Sequence, residues 1–217
     1  MGNQTRITLL RRYQLTALIS SKTRYTDQVF KELQLDGIQI LSSEFFDCVF
    51  SDCSFAKSVF QKCRFVNCAF QGCDLSLAQV PESIFSSSRF EDSKIIGINW
   101  AQADWPIASL GKPIIFIKTA ISHCTFIGLS LKGIQVKECV AVDVDFREAD
   151  LSQADFAGTD LSKSMFSNTN LSEADLSQTR NYLIDPAQNV LKGAKFSLPE
   201  AMSLLYNMDI ILTNGEL

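Results

Sequence analysis

A large apolar residue recurs every five positions along most of the chain. Between residues 146 and 176 the repeat is uninterrupted, with large side chains at Phe146, Leu151, Phe156, Leu161, Phe166, Leu171 and Leu176. Residues five apart in an α-helix differ by about 140° around the axis, so this period makes no helical stripe. In a straight strand, an odd period sends successive side chains to opposite faces. The pattern therefore predicts a chain that turns a corner every five residues.

Each repeat has the same internal order of small, polar and large residues. A small residue precedes each large one by two positions, as Ala149 precedes Leu151, and a polar residue such as Asp150 lies between them. We expect the small and large residues to point inward, the polar residue to point outward, and the remaining pair to form a tight turn. The same order runs from Phe45 to Leu110, shifts by one position at residues 111–113, and resumes at Phe116. This shift predicts a one-residue insertion at a corner.

The repeats resemble those of the pentapeptide-repeat proteins, whose pattern is Ala-Asp/Asn-Leu-X-X. The resemblance is carried by segments such as ADLSQ (149–153), ADFAG (154–158), TDLSK (159–163) and TNLSE (169–173), and it covers about residues 25–196. It implies an all-β fold, a right-handed quadrilateral β-helix in which four repeats make one square coil. About 27 repeats would make about seven stacked coils in a rod about 35 Å long. Such coils bury a continuous core only when they stack.

Three regions are expected along the chain: residues 1–24, the β-helix over 25–196, and residues 197–217. The first region forms either a short amphipathic helix that caps the rod or an unstructured basic arm. It has some character of a transit peptide, but its apolar stretches are too short for a secretory signal, and no run of about 18 apolar residues predicts a membrane span. A loop is expected near residues 181–190. Ser197 and Glu200 have the spacing of a capping box, which predicts a short C-terminal helix.

The apolar residues of the C-terminal region have two interpretations. They either shield the open end of the solenoid or form a homodimer contact. In some members of the pentapeptide-repeat family that the chain resembles, this region serves both purposes, and we expect a dimer. The expected contact residues are Leu198, Met202, Leu205, Tyr206, Met208 and Ile210.

Composition and charge narrow the range of functions. The 217 residues carry a net charge of -4 with a pI of about 5.1, which argues against direct binding of nucleic acid through a basic surface. The seven cysteines lack the CxxC spacing of a zinc site. Cys48 and Cys68 are 20 residues apart, as are Cys53 and Cys73, so each pair is expected in neighbouring coils as buried structural thiols. Zinc or redox chemistry is the alternative. Free thiols favour a cytoplasmic location.

Catalytic chemistry has little support in the sequence. His123 is the single histidine, it falls at an outward corner position, and no nucleophile motif surrounds it. There is no glycine-rich phosphate loop. We therefore expect no catalytic residue, no metal site, no cofactor and no enzymatic activity.

Acidic residues are concentrated between residues 138 and 175. They are opposed in that segment only by Arg147 and Lys163, and we expect them to form an acidic face that binds a partner. The alternative is that these aspartates belong to the repeat itself and support the fold. The candidate residues are Glu138, Asp143, Asp145, Glu148, Asp150, Asp155, Asp160, Glu173 and Asp175.

Three segments, which extend from the repeats into the non-repetitive C-terminal end, resemble one group within the family. IGINWAQADWP (96–106), RNYLID (180–185) and KFSLPEAMSLLYNMDI (195–210) are similar to the topoisomerase-protecting members, which include the albicidin-resistance and Qnr-type quinolone-resistance proteins. This resemblance implies a DNA mimic that occupies the DNA-binding saddle of DNA gyrase or topoisomerase IV and protects the enzyme from a poison. The alternative is a structural or interaction scaffold. Trp100 and Trp105 fall at inward positions, as core residues or as partly exposed contact residues.

Overall fold

The solenoid implied by the resemblance to pentapeptide-repeat proteins is present. The computed structural model of the protein describes residues 19–105 and 114–208, and the chain forms a β-solenoid of about eight turns with one short C-terminal helix. The sequence predicted about seven coils. Ile19 is buried against the core, and the first strand begins at Arg24; residues 1–18 of the predicted N-terminal region lie outside the described residues.

The sides of the solenoid are short strands that all pair in parallel. Small-polar-large triplets can form only about three extended residues before the next corner, which limits strand length. The strands are β1 (Arg24–Thr26), β2 (Val29–Lys31), β3 (Gln39–Leu41), β4 (Glu44–Phe46), β5 (Val49–Ser51), β6 (Val59–Gln61), β7 (Arg64–Val66), β8 (Ala69–Gln71), β9 (Ile84–Ser86), β10 (Arg89–Glu91), β11 (Ile115–Ile117), β12 (Gln135–Lys137), β13 (Asp175–Leu176) and β14 (Lys195–Phe196).

Four walls make up the square cross-section, and we number them in chain order. Wall 1 contains β1, β4, β7 and β9, and wall 2 contains β2, β5, β8, β10, β11 and β12, followed by β13 and β14. Wall 3 is a ladder of single bridges from Gln34 to Arg180. Wall 4 contains β3 and β6 and continues through bridges from Asn99 to Met165. The first, second, third and fourth corners follow walls 1, 2, 3 and 4.

Most corners include a residue in the left-handed backbone region. Asp27 and Asp47 at the first corner have φ values of 53° and 53°, and Glu32 and Asp52 at the second have 55° and 54°. Corner residues 20 positions apart stack closely, because a Cβ added to Gly72 would lie 2.8 Å from Asp52 Oδ1. The corners therefore present side chains in regular columns along the rod.

Large inward residues form stacks along the solenoid axis. The ring centroids of Phe50 and Phe70 are 4.7 Å apart with nearly parallel planes, and those of Phe70 and Phe90 are 4.5 Å apart. These distances match the spacing of about 4.8 Å between paired strands. The period therefore places like side chains directly above each other and buries them.

A serine or cysteine at the small inward position donates a hydrogen bond as well as filling space in the core. Ser58 Oγ donates to the carbonyl oxygen of Leu35 at 2.8 Å, and Cys68 Sγ donates to that of Phe45 at 3.4 Å. In both cases the acceptor lies 23 residues earlier, in the neighbouring coil. All seven cysteines are buried and free, which confirms the prediction of buried thiols. Burial raises the pKa of Cys68 and Cys139 to about 12.

The register break is larger than the sequence suggested. Phe70 and Phe90 are paired residues 20 positions apart, whereas Phe90 pairs with Phe116, 26 positions further along. The coil is thus six residues longer than its neighbours, and the expected insertion of one residue is wrong. Six residues equal one five-residue repeat plus one residue, so the five-residue period cannot distinguish an insertion of one residue from an insertion of six. The expected position of the break, residues 111–113, lies outside the described residues.

Trp100 is a core residue. It is fully buried, and its ring lies 6.0 Å from that of Phe126 in a stacked arrangement. Trp105 is partly buried against it, and Trp105 Nε1 donates to the carbonyl oxygen of Trp100 at 2.9 Å. A 3-10 turn, Trp100–Gln102, lets the chain accommodate the large ring within the coil.

The short C-terminal helix is confirmed, but its start differs from the prediction. A 3-10 turn (Glu200–Met202) leads into α1 (Ser203–Tyr206), and neither has a side-chain cap. The expected capping box is absent, since Pro199 and not Ser197 precedes the 3-10 turn, and the Ser197 hydroxyl accepts a hydrogen bond from the backbone N–H of Gln178 at 3.1 Å. The expected loop near 181–190 also contributes to the core, since Tyr182 and Ile184 are buried.

Candidate interaction surface

The nine acidic residues expected to form one face occupy two kinds of position. Five lie at the middle of a wall segment and are half-buried: Asp145, Asp150, Asp155, Asp160 and Asp175. The other four are exposed at corners and have positive φ: Glu138, Asp143, Glu148 and Glu173. The two sets have different surroundings and are considered separately.

The wall aspartates are acceptors for the backbone of the next corner. The carboxylate of Asp155 accepts from the N–H of Ala157 at 3.1 Å, and that of Asp175 accepts from the N–H of Ser177 at 2.9 Å. Asp145, Asp150 and Asp160 make the same bond to the residue two positions on. An aspartate that caps its own turn stabilises the turn directly. The alternative in which these aspartates support the fold is therefore favoured for this set.

Basic side chains neutralise most of the wall aspartates. Lys137 Nζ lies 2.6 Å from Asp155 Oδ2, and Lys195 Nζ lies 3.5 Å from Asp175 Oδ2. Arg147 forms a bidentate ion pair with Asp145, in which Nε donates to Oδ1 at 2.9 Å and Nη2 donates to Oδ2 at 2.7 Å. These hydrogen bonds lower the pKa of Asp145. The negative charge of this segment is thus largely compensated at short range.

Asp160 has the most strongly shifted pKa among these carboxylates. Partial burial acts to raise it, but hydrogen bonds from Ser162, Asn181 and Arg180 outweigh burial and lower the pKa to about 2. For Asp175, hydrogen bonds from the Ser177 hydroxyl and backbone, followed by the nearby Lys195, lower the pKa. Both carboxylates are therefore held ionised by their local structure.

The nine residues do not form one face. Asp155 and Asp175 are neighbours on wall 2, as the 20-residue spacing predicted. Asp150 lies on wall 1, Asp160 on wall 3 and Asp145 on wall 4. The corner acids lie one at each corner: Glu173 at the first, Glu138 at the second, Asp143 at the third and Glu148 at the fourth. The expected single face is therefore corrected to a distribution around the whole rod.

A concentrated acidic surface is present elsewhere, on the N-terminal half of wall 2. We call it the acidic wall: β2, β5, β8 and β10 with the first and second corners beside them. Its acids are Asp27, Glu32, Asp47, Asp52, Glu91 and Asp92, and its bases are Lys31 and Arg89.

The charges of the acidic wall are mostly unpaired. Lys31 is 3.5 Å from Glu32, and Arg89 is 3.1 Å from Glu91, so both bases are engaged with glutamates of the same wall. Within the described ranges, no lysine or arginine forms an ion pair with the four aspartates of the acidic wall. Asp47 receives one hydrogen bond from Asn67 at 3.1 Å. These carboxylates are therefore available to an external cation.

The sequence indicates the acidic wall when acidic residues are compared at intervals of 20 positions. Counting acids along the chain selects residues 138–175, whereas counting at intervals of 20 collects Asp27 with Asp47 and Glu32 with Asp52. The second count is the relevant one because residues 20 apart are neighbours on the surface of a four-sided coil.

The predicted C-terminal contact residues are exposed where the structure describes them. The exposed fractions are 80% for Leu198, 40% for Met202, 37% for Leu205, 63% for Tyr206 and 52% for Met208. Ile210 lies outside the described residues. A cleft of about 300 Å³ opens beside them, lined by Tyr182, Met202, Tyr206 and four polar or small neighbours. The end of the rod thus presents a partly apolar surface.

Other kinds of site are not evident in the described ranges. His123 lies at the exposed third corner, where Nδ1 is 2.9 Å from Asp143 Oδ2. Across residues 19–105 and 114–208, no group of His, Cys, Asp and Glu side chains is arranged to hold a metal ion. In the same ranges no helix is both long and apolar enough to cross a membrane.

Comparison with known families agrees with the geometry. Residues 43–116 match the model of the pentapeptide repeat region, and residues 142–179 match the model of pentapeptide repeats in eight copies. The chain therefore carries pentapeptide-repeat domains. A comparison with curated protein sequences found no match.

Solved structures with the same fold have low sequence identity to this chain. A trypsin-treated form of QnrB1, a plasmid-mediated fluoroquinolone resistance protein, is 18% identical with a TM-score of 0.66, covering 89% of this chain and 99% of its own. HetL, a pentapeptide repeat protein involved in heterocyst differentiation regulation from the cyanobacterium Nostoc, is 17% identical with a TM-score of 0.63, covering 86% and 90%. At these identities the similarity shows the fold.

Proposed function

We propose that this protein, a carrier of pentapeptide-repeat domains, is a non-catalytic DNA mimic that binds DNA gyrase or topoisomerase IV and protects it from poisons. The acidic wall is the observation that carries the proposal. It presents rows of carboxylates on a rigid scaffold, and its four aspartates form no ion pair with a described lysine or arginine. A DNA-binding saddle presents the opposite charge.

The spacing of these charges is compatible with binding to a protein surface that normally binds DNA. Successive coils place corner residues about 4.8 Å apart along the rod, and each strand of duplex DNA carries a phosphate about every 3.4 Å. The rod is therefore less densely charged than DNA but has the same sign and a similar linear order. Because the corner backbone fixes the positions of the residues that carry the carboxylates, no backbone ordering is needed when a partner binds.

The fold comparison supports protection against a poison. QnrB1, which shares the fold, is described as a fluoroquinolone resistance protein. We extend that role to this chain and include quinolones, peptide toxins and albicidin-like compounds among the candidate poisons. The protein would act by competing for the DNA gate or by destabilising the poisoned cleavage complex, in the cytoplasm where its partner is located.

We also propose that two copies associate through the C-terminal region. The exposed residues Leu198, Met202, Leu205, Tyr206 and Met208, together with Ile210, would be covered in the dimer. Covering them would remove apolar surface from water, and joining two rods at their C-terminal ends would place one acidic wall in each outer half of the dimer. Substitution of Leu198 and Tyr206 by glutamate should yield monomers in analytical ultracentrifugation; dimers that persist would contradict this contact.

An interaction scaffold without topoisomerase binding is the second candidate. HetL has the same fold and is described as acting in differentiation regulation, so the fold alone does not specify a partner. The local pairing of Asp155 and Asp175 with lysines also favours a structural role for that half of the rod.

An assay with purified gyrase separates the two candidates. The proposal predicts inhibition of supercoiling by the protein and relief of drug-stabilised cleavage for at least one member of a panel of poisons. The absence of both effects across micromolar concentrations would leave the scaffold as the better description.

A further inference from the structure

The centre of the acidic wall is apolar. Val29, Val49 and Ala69 occupy the outward position of three consecutive strands, in direct register. Val29 is 70% exposed, the largest exposed fraction among the described large apolar residues outside the C-terminal region. The row ends at Arg89, which pairs with Glu91.

Acidic residues border this apolar row on both sides. Asp27 and Asp47 lie at the first corner, and Glu32 and Asp52 lie at the second. Each pair is separated from the other by one three-residue strand, or about 10 Å. Charge mimicry of DNA would need only the acidic residues, so it does not explain why the row between them is apolar.

We propose that this surface binds an α-helix whose apolar ridge is flanked on both sides by lysine or arginine. The dimensions agree, because three coils span about 10 Å and two helical turns rise about 11 Å. Apolar residues at positions i, i+3 or i+4, and i+7 of such a helix would lie over the three small side chains. Basic residues on either flank would reach the two rows of carboxylates, in which Asp27 and Asp52 have no lysine or arginine partner among residues 19–105 and 114–208.

The inference rests on the proposed function, since it identifies the element of the topoisomerase that the acidic wall contacts. It differs from charge mimicry in its dependence on salt. Screening weakens contacts between exposed charges, whereas apolar contact is much less sensitive to ionic strength. A binding contribution that survives high salt and depends on Val29 is therefore the expected signature.

A matched pair of substitutions isolates the apolar contact. Val29→Asn removes the most exposed side chain of the row without changing charge, and Val140→Asn makes the same change on wall 3, where the valine is 46% exposed. We expect Val29→Asn to weaken gyrase binding by about tenfold, with an unchanged dependence on salt, and Val140→Asn to change it by less than about twofold. Equal effects of the two substitutions would overturn the inference.

A second measurement tests the helix directly and does not depend on gyrase. A synthetic amphipathic peptide with a leucine ridge flanked by lysines should bind the full-length protein in fluorescence anisotropy, and a scrambled peptide of the same composition should bind more weakly. A photo-crosslinking residue at position 29 should capture this peptide, and one at position 140 should not. If the wild type fails to bind gyrase while the variant with the crosslinker at position 29 captures the peptide, the proposed function alone is contradicted. Equal binding of the amphipathic and scrambled peptides would contradict the proposal that this surface binds an amphipathic helix.

Discussion

Asp155 lies directly beside Asp175 on wall 2, and each carboxylate has its own lysine. The register pairs the two residues in adjacent coils, yet Lys137 lies 2.6 Å from Asp155 and Lys195 lies 3.5 Å from Asp175. Two like charges at this spacing would repel each other without those lysines. The pair therefore contributes to the fold more than to an external field.

Removal of either carboxylate should affect stability more than partner binding. Asp155→Ala leaves the N–H of Ala157 without its acceptor, and we expect a loss of about 1–2 kcal/mol in the free energy of unfolding, measured by urea denaturation. Asp155→Asn should retain most of the stability, since Asn170 accepts from Ser172 N at 3.1 Å at an equivalent position. Gyrase affinity that falls while stability stays unchanged would contradict this assignment.

Neutralising the acidic wall should affect partner binding more than stability. We expect a variant carrying Asp27→Asn, Glu32→Gln, Asp47→Asn and Asp52→Asn to fold normally but to associate with gyrase about tenfold more slowly at low salt. The affinity of this variant should also depend less on salt concentration. Surface plasmon resonance at several ionic strengths measures both quantities.

Acids at the other corners provide the control for that variant. Asp143→Asn and Glu148→Gln remove charge from the third and fourth corners, outside the acidic wall. An association rate reduced as much by these two changes as by a matched pair on the acidic wall would show that net charge, and no particular surface, attracts the partner.

Acid should destabilise the protein in a defined range. The pKa of Asp160 is lowered to about 2 from an ordinary value of 3.8, so between these values the unfolded chain binds a proton that the folded chain does not. The stabilisation from this carboxylate is present above about pH 4 and is lost as the pH falls through about 2. It amounts to no more than about 2 kcal/mol. Urea midpoints across this range should fall less steeply for Asp160→Asn than for the wild type, and parallel curves would contradict the assignment.

Cys63 should be replaceable by serine. Its thiol donates to the carbonyl oxygen of Ile40 at 3.4 Å, and Ser83, one coil further on, donates to that of Phe60 at 2.8 Å. We expect Cys63→Ser to change the free energy of unfolding by less than about 1.5 kcal/mol, because the donor is kept at nearly the same volume. Cys63→Val should cost more, since it removes the donor and adds bulk. Thermal melts that rank the two variants in the reverse order would show that packing volume, and not the hydrogen bond, governs this position.

The five-residue period was sufficient to predict the corners and most of the core, whereas the four-sided coil was implied by the resemblance to pentapeptide-repeat proteins. Each repeat places its first and third residues inside, so the burial of Cys48 and Phe50 follows from the spacing alone. The short C-terminal helix was also predictable, but its start was not. Ser197 had the spacing of a cap, yet in the folded chain its hydroxyl lies closer to Gln178 of the preceding coil.

The sequence by itself determined which side chains point inward and which outward, because that choice repeats within every five residues. Tertiary structure decided which outward residues share a surface. Neighbours on a wall are 20 or, across the break, 26 positions apart, and a five-residue period is compatible with many such separations. Winding four repeats per coil brings Asp27 beside Asp47 and gives Asp155 the lysine at position 137. The location of unpaired charge was therefore a property of the coil, since Coulomb interaction depends on distance in space and not along the chain.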